Sequence, residues 1–192
     1  MNDFTSNNMA LSDGILLGNR IPKDFFVTTG FGESDICVHA GSYHLALKNA
    51  GIEKANILTY SSVLPSIANE IEKKEIIHFG SVVETIMAIA NGTSCQHLSA
   101  GIKLGWLYHR NSSKKYGGLV CEYGGQCSSS ELENILSSSL LELYKNGFEE
   151  EYELKEERLI TKTFTPEKKH GTVLVSLCFT NYLHPIIDKN EE

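Results

Sequence analysis

The chain has 192 residues, 41% hydrophobic and 21% charged, with 4 Pro against 16 Gly. That is the composition of one folded domain with appendages, not of a disordered, fibrous or multidomain chain. Lys and Arg (17) fall short of Asp and Glu (24), giving a net charge of −7 with scattered positives, which excludes nucleic acid as a first choice of partner.

Five cysteines, at 37, 95, 121, 127 and 178, form no CxxC pair, so neither a disulfide framework nor a zinc ribbon is indicated and a reducing cytoplasm fits best. Residues 1–22, rich in Asn, Ser and Asp, lack the basic start and apolar run of a signal peptide and read as a flexible arm. The folded part is expected over 23–186, with 187–192 as a solvated tail. The longest stretch free of Asp, Glu, Lys and Arg, Thr85 to Ile102, contains Asn91, Thr93, Gln96 and His97, so no membrane partner is expected.

Phe25 to Phe31 is a β-branched and aromatic run, predicted to be a strand, and GFGESD (30–35) follows as a Gly-bearing loop. In HAGSYHLALKNAG the apolar positions Tyr43, Ala46, Leu47 and Ala50 recur at helical spacing, and Gly51 stands where a left-handed cap belongs. Asn56 to Leu64 is predicted as one strand ended by Pro65, and Glu75 to Phe79 as another. Runs at Val82–Ala90, His97–Arg110 and Tyr116–Tyr123 point to a meandering antiparallel sheet. The clearest helix is SSSELENILSSSLLELYKNGF, with a capping box from Ser128 and Glu131 and a stripe of Leu132, Ile135, Leu136, Leu140, Leu143 and Tyr144. Strands around Tyr152–Phe164 and Thr172–Phe179 complete an order without strict βαβ alternation. The fold class is therefore α+β, a layered αββα sandwich with mainly antiparallel sheets.

No phosphate loop, GxGxxG turn, HExxH or GxSxG motif is present. The histidines show no tight ligand spacing; His39 and His44, five apart, fall on different faces of an α-helix, and no metal is expected. Cys121 and Cys127 flank a Gly-Gly turn and are in position to face each other across it, although buried cysteine is commonly inert. The serine pair Ser61-Ser62 interrupts an apolar strand. Taken alone, hydroxyls bonded to nearby backbone account for it.

The context changes that reading. GFGESD (30–35), NAGI (49–52), NILTYSSVLP (56–65), VVETIMA (82–88), AGIKLGW (100–106) and CEYGG (121–125), in this order and at these intervals, resemble the pyruvoyl-dependent arginine decarboxylase family over about residues 25–180. The resemblance implies a cytoplasmic proenzyme that cuts itself between Ser61 and Ser62 into a β chain (1–61) and an α chain (62–192). Ser62 would become a covalent pyruvoyl cofactor, with no PLP and no metal, and its ketone would form a Schiff base with the amino-acid substrate, by default arginine going to agmatine. The resemblance gives Glu122 the role of proton donor and Asn56 that of assisting processing and catalysis. On a straight strand Asn56 and Ser62 would lie roughly 20 Å apart. Either the strand bends or Asn56 serves a neighbouring protomer, as in the homotrimers of αβ protomers, or their multiples, that the family forms.

One position departs from the family pattern. Where arginine-specific relatives carry an aspartate for the guanidinium, this chain has His44, which offers no bidentate carboxylate. Either Glu33 or Asp35 supplies the anion, or the same chemistry acts on a different amino acid, or the chain is a processing-dead structural or regulatory homologue.

Overall fold

The strand with the most continuous apolar run, HGTVLVSLCF, lies at the centre of the molecule, because only a strand covered on both faces can bury every side chain of such a run. A computed structural model describes residues 17–73 and 77–186. Its first strands are β1 (Ile21–Pro22) and β2 (Asp24–Ser34), followed by a π turn over Val38–Tyr43 and helix α1 (His44–Ala50). Next come the short strands β3 (Asn56–Thr59), β4 (Val63–Pro65) and β5 (Asn69–Glu70), then the long β6 (Val82–Gly92), β7 (Leu98–His109) and β8 (Lys115–Gly125). Helix α2 (Ser129–Gly147) precedes β9 (Tyr152–Phe164), β10 (His170–Phe179) and β11 (Tyr182–Leu183).

The class is α+β, with mostly antiparallel pairings and two parallel ones, β3 with β6 and β2 with β5. One sheet runs β3-β6-β10-β2-β5 and a second β4-β8-β7-β9. Val173, Val175, Leu177 and Phe179 of β10 join Ile86, Ala88, Leu98, Ile102 and Leu104 in a cluster drawn from both sheets. Leu174 and Cys178 point the other way, into a cluster with Ala46, Leu47 and Ala50 of α1. A third cluster sets Leu132, Leu136 and Leu140 of α2 against Leu107, Leu119 and Cys121. The capping box is formed, with Ser128 accepting from the Glu131 N–H while Glu131 accepts from the Ser128 N–H.

Several expectations need correction. The GFGESD segment is not a loop: β2 continues through Ser34, and its glycines let the following helical turn lie on the strand. A Cβ at Gly30 would sit 2.1 Å from the Ala46 carbonyl oxygen, and one at Gly32 2.5 Å from that of Ser42. The helix after it begins as a π turn, with the Ser42 N–H donating to the Cys37 carbonyl five residues back. Gly124 and Gly125 belong to β8 rather than to a turn between Cys121 and Cys127. The expected arm, residues 1–22, falls outside the described residues as far as 16. Beyond that point Leu17 bridges to Ile186 and β1 pairs with β11. Of the strand predicted at Glu75–Phe79, residues 75 and 76 lie outside the described residues, and Ile77–Phe79 is not a strand. The tail 187–192 also lies outside them.

Candidate active site

The predicted single strand Asn56–Leu64 is divided between the two sheets. β3 runs parallel to β6, and its last rung is the Tyr60 N–H donating to the Thr85 carbonyl at 2.7 Å. β4 pairs instead with β8, and the Ser62 carbonyl accepts from the Val120 N–H at 3.0 Å. Between these anchors the Val63 N–H turns back to the Ser61 carbonyl at 3.1 Å, a three-residue turn centred on Ser62. This local bond competes with the sheet ladder, which is why the strand stops here and why the serine pair spans the gap.

β8 places Glu122 opposite Ile102 of β7, with the Ser62 side chain near enough to its carboxyl group to favour the charged form. Glu122 is exposed at the protomer surface. Even so, its carboxyl group is partly desolvated, and this pushes its pKa above the ordinary glutamate value, against the opposing effects of a backbone hydrogen bond and the Ser62 hydroxyl. The neighbouring Cys121 thiol, buried and beside that charge, is pushed up to about 11 and stays an inert thiol.

Asn56 and His44 meet elsewhere, on a cavity of about 610 Å³ that His39, Tyr43 and Glu53 also line. The π turn explains why both histidines open onto it. At about 4.4 residues per turn a spacing of five nearly closes a full turn, whereas α-helical spacing would separate them. The His39 ring stacks on Tyr43 at 5.7 Å, and the Asn56 amide donates to the Gly80 carbonyl at 3.1 Å. Glu33 and Asp35 are not on this cavity wall. Glu33 accepts the Glu167 and Lys168 N–H groups, and Asp35 accepts that of Lys169.

The structure thus brings Ser62 to Glu122 and His44 to Asn56, but it does not bring the two pairs together within one protomer. Glu84, Arg20 and Glu53 went unnoticed in the sequence. Glu84 is the one charge in the apolar run Val82–Gly92, a signal that was there to read. It is 2% exposed, accepts from the Tyr60 hydroxyl and pairs with Arg20. A second cavity, of about 680 Å³, opens beside Ser61 and is lined by Arg20, Tyr60, Tyr116 and Phe148 among others.

The site is of the hydroxyl-carboxylate class: a serine at an interrupted strand, backed by a glutamate that holds its proton to higher pH than usual. Comparison with known proteins gives that class a family. The profile of "Pyruvoyl-dependent arginine decarboxylase (PvlArgDC)" matches residues 24–184. The chain is 30% identical over 186 residues to the pyruvoyl-dependent arginine decarboxylase AaxB of Chlamydia muridarum, covering 86% of this chain and 94% of that one. It is 25% identical over 163 residues to a pyruvoyl-dependent arginine decarboxylase of Thermococcus kodakarensis, covering 84% and 97%. With a counterpart in Methanocella arvoryzae it shares 28% over 127 residues, covering 60% and 75%. The chain belongs to the pyruvoyl-dependent arginine decarboxylase family.

Proposed function

We propose that this protein is a self-processing, pyruvoyl-dependent decarboxylase that converts L-arginine to agmatine and carbon dioxide. The observation that carries the reading is the place of Ser62, where the chain crosses between its two sheets and bonds to Val120 of β8, two residues before Glu122. In the first step Ser62 Oγ attacks the Ser61 carbonyl carbon and gives up its proton, while the Ser62 nitrogen leaves that carbon and takes a proton up. An ester replaces the amide. Loss of the Ser62 Cα proton then expels the Ser61 carboxylate and leaves dehydroalanine; one water hydrolyses its imine form, ammonia departs, and a ketone remains at 62.

The residues present fit such a group, since Ser62 supplies its carbon skeleton and Glu122 stands against it. A pyruvoyl carbonyl gives decarboxylation its electron sink. Glu122 returns a proton to the carbon that has lost carbon dioxide, a task suited to a carboxyl whose pKa is raised.

The cavity of His44 and Asn56 takes the far end of the substrate. Among its lining residues Glu53 is the one carboxylate, and it supports a cationic substrate despite His44. We assign this cavity to the Ser62 of a neighbouring copy in a homotrimer or its multiple. Uncovered apolar side chains near the β3 edge, Leu58, Val82 and Phe79, support that assignment. The three core clusters are read as the interfaces of an αββα sandwich spanning 23–186.

Intact-mass measurement tests the reading. The wild-type chain should resolve into fragments 1–61 and 62–192, the larger one blocked to N-terminal sequencing, and should release carbon dioxide from labelled arginine. Ser62→Ala should stay uncut and inactive. An unsplit wild-type chain overturns the proposal. Release from another amino acid but not from arginine overturns the substrate assignment alone.

A further inference from the structure

We propose that Glu84 is a positioning residue for self-cleavage, acting through Tyr60. The inference rests on the self-processing reading above. Attack of Ser62 Oγ on the preceding carbonyl closes a five-membered ring, so it depends on the torsions between the last residue fixed before the scissile bond and the first fixed after it. Those residues are Tyr60 and Ser62. Downstream, the ladder of β4 with β8 and the Val120 bond hold Ser62. Upstream, the last bond to the sheet is that of the Tyr60 N–H to Thr85; the Ser61 carbonyl takes the local Val63 N–H, which does not tie it to the sheet, and Ser61 is exposed.

The Tyr60 side chain provides the missing restraint. Its ring packs against Phe179 with centroids 5.5 Å apart, and its hydroxyl donates to Glu84. Glu84 occupies an inward position on β6, in line with Ile86, Ala88 and Ala90 of the core between the sheets. A carboxylate there is costly unless it is paired and hydrogen-bonded. Its partners are the Tyr60 hydroxyl and Arg20, which reaches in from the segment before β1 and stacks over Tyr182 at 5.3 Å from the ring centroid. Both groups that Glu84 holds line the cavity beside Ser61. An apolar residue would fill this core position more cheaply. What the carboxylate adds is a directional grip on the residue one peptide before the scissile bond, and this fixes the approach of hydroxyl to carbonyl as near-attack geometry requires.

The test follows cleavage by intact mass after cell-free synthesis of the full chain, comparing wild type with Tyr60→Phe/Glu84→Leu. Replacing both partners of a buried hydrogen bond by apolar groups of similar shape leaves stability nearly unchanged, and Arg20 is half exposed, so this variant should keep the wild-type Tm. Cleavage should slow by roughly tenfold or more, while turnover per pyruvoyl group formed is retained. That split between cleavage rate and Tm is one a merely structural role does not produce. Tyr60→Phe alone, which keeps the ring on Phe179, should show the same slowing and serves if the double variant folds poorly. Cleavage of both variants at the wild-type rate overturns the inference; failure of wild type itself to cleave overturns the self-processing reading beneath it.

Discussion

At the scale of single residues, proton inventory decides what the site does. Partial desolvation raises the Glu122 pKa, so the fold favours its protonated form. Its contribution to stability is fully present below the ordinary glutamate pKa and is lost as pH rises through the raised one. The same sign governs turnover: kcat/KM for arginine should fall as pH climbs through that pKa, with a midpoint above the ordinary value of 4.5. Glu122→Gln should lower kcat on the order of 10²-fold or more and remove that limb from the pH profile. A Gln variant that keeps the limb would reassign the proton to another group. For Glu53, which shares the cavity of His44 and Asn56, Glu53→Gln should raise the KM for arginine about tenfold with kcat little changed, the mark of a charge-assisted bond lost from substrate binding. Citrulline, the neutral analogue, should bind both forms alike.

At the scale of elements, α1 and its π turn lie close against β2. The helix contributes Ala46 and Ala50 and the strand Gly30 and Gly32, so backbone meets backbone, and a methyl at Gly30 would lie 2.1 Å from the Ala46 carbonyl oxygen. Gly30→Ala should therefore cost about 3 kcal/mol or prevent folding, as thermal melting would register, because the obstruction is backbone that cannot rotate away. The helical stripes, the Ser128 cap and the long strands were legible because each is written in local periodicity: Leu132, Leu136 and Leu140 are buried as their spacing implies. What escaped is non-local or depends on geometry that spacing does not encode. The glycines of GFGESD read as a loop because glycine on a strand that accepts a helix looks the same in sequence. The π turn moved His39 and His44 onto one cavity, which 3.6-residue periodicity forbids. The break at Tyr60–Ser62 follows from pairing with β6 on one side and β8 on the other, partners more than 20 residues distant in sequence. The roles of Ser62 and Glu122 came from family resemblance alone, and the Val120 bond that draws β4 onto β8 is a long-range pairing that no local pattern encodes.

At the scale of the whole molecule, cleavage at Ser61 would leave two chains whose elements remain interleaved. Fragment 1–61 contributes β2, which pairs with β10 over ten consecutive residues, His170↔Ser34 to Phe179↔Phe25. It also contributes β3 against β6, β1 against β11, and α1 with its buried Ala46, Leu47 and Ala50. These side chains, together with Phe25 and Phe26, bury apolar surface against fragment 62–192, and each fully buried Phe or Leu contributes about 2 kcal/mol. The fragments should consequently co-elute as one species under native conditions and separate only in denaturant. The cut does alter the unfolding equilibrium. One precursor chain unfolds to one chain, whereas the processed protein unfolds to two, and reassociation becomes bimolecular. The urea midpoint of the processed form should therefore rise with protein concentration beyond any rise shown by Ser62→Ala, which shares its subunit contacts but keeps the covalent link. Equal concentration dependence in the two forms would mean that the fragments do not separate on unfolding, and the chain would then be held together by something other than the pairings seen between its strands.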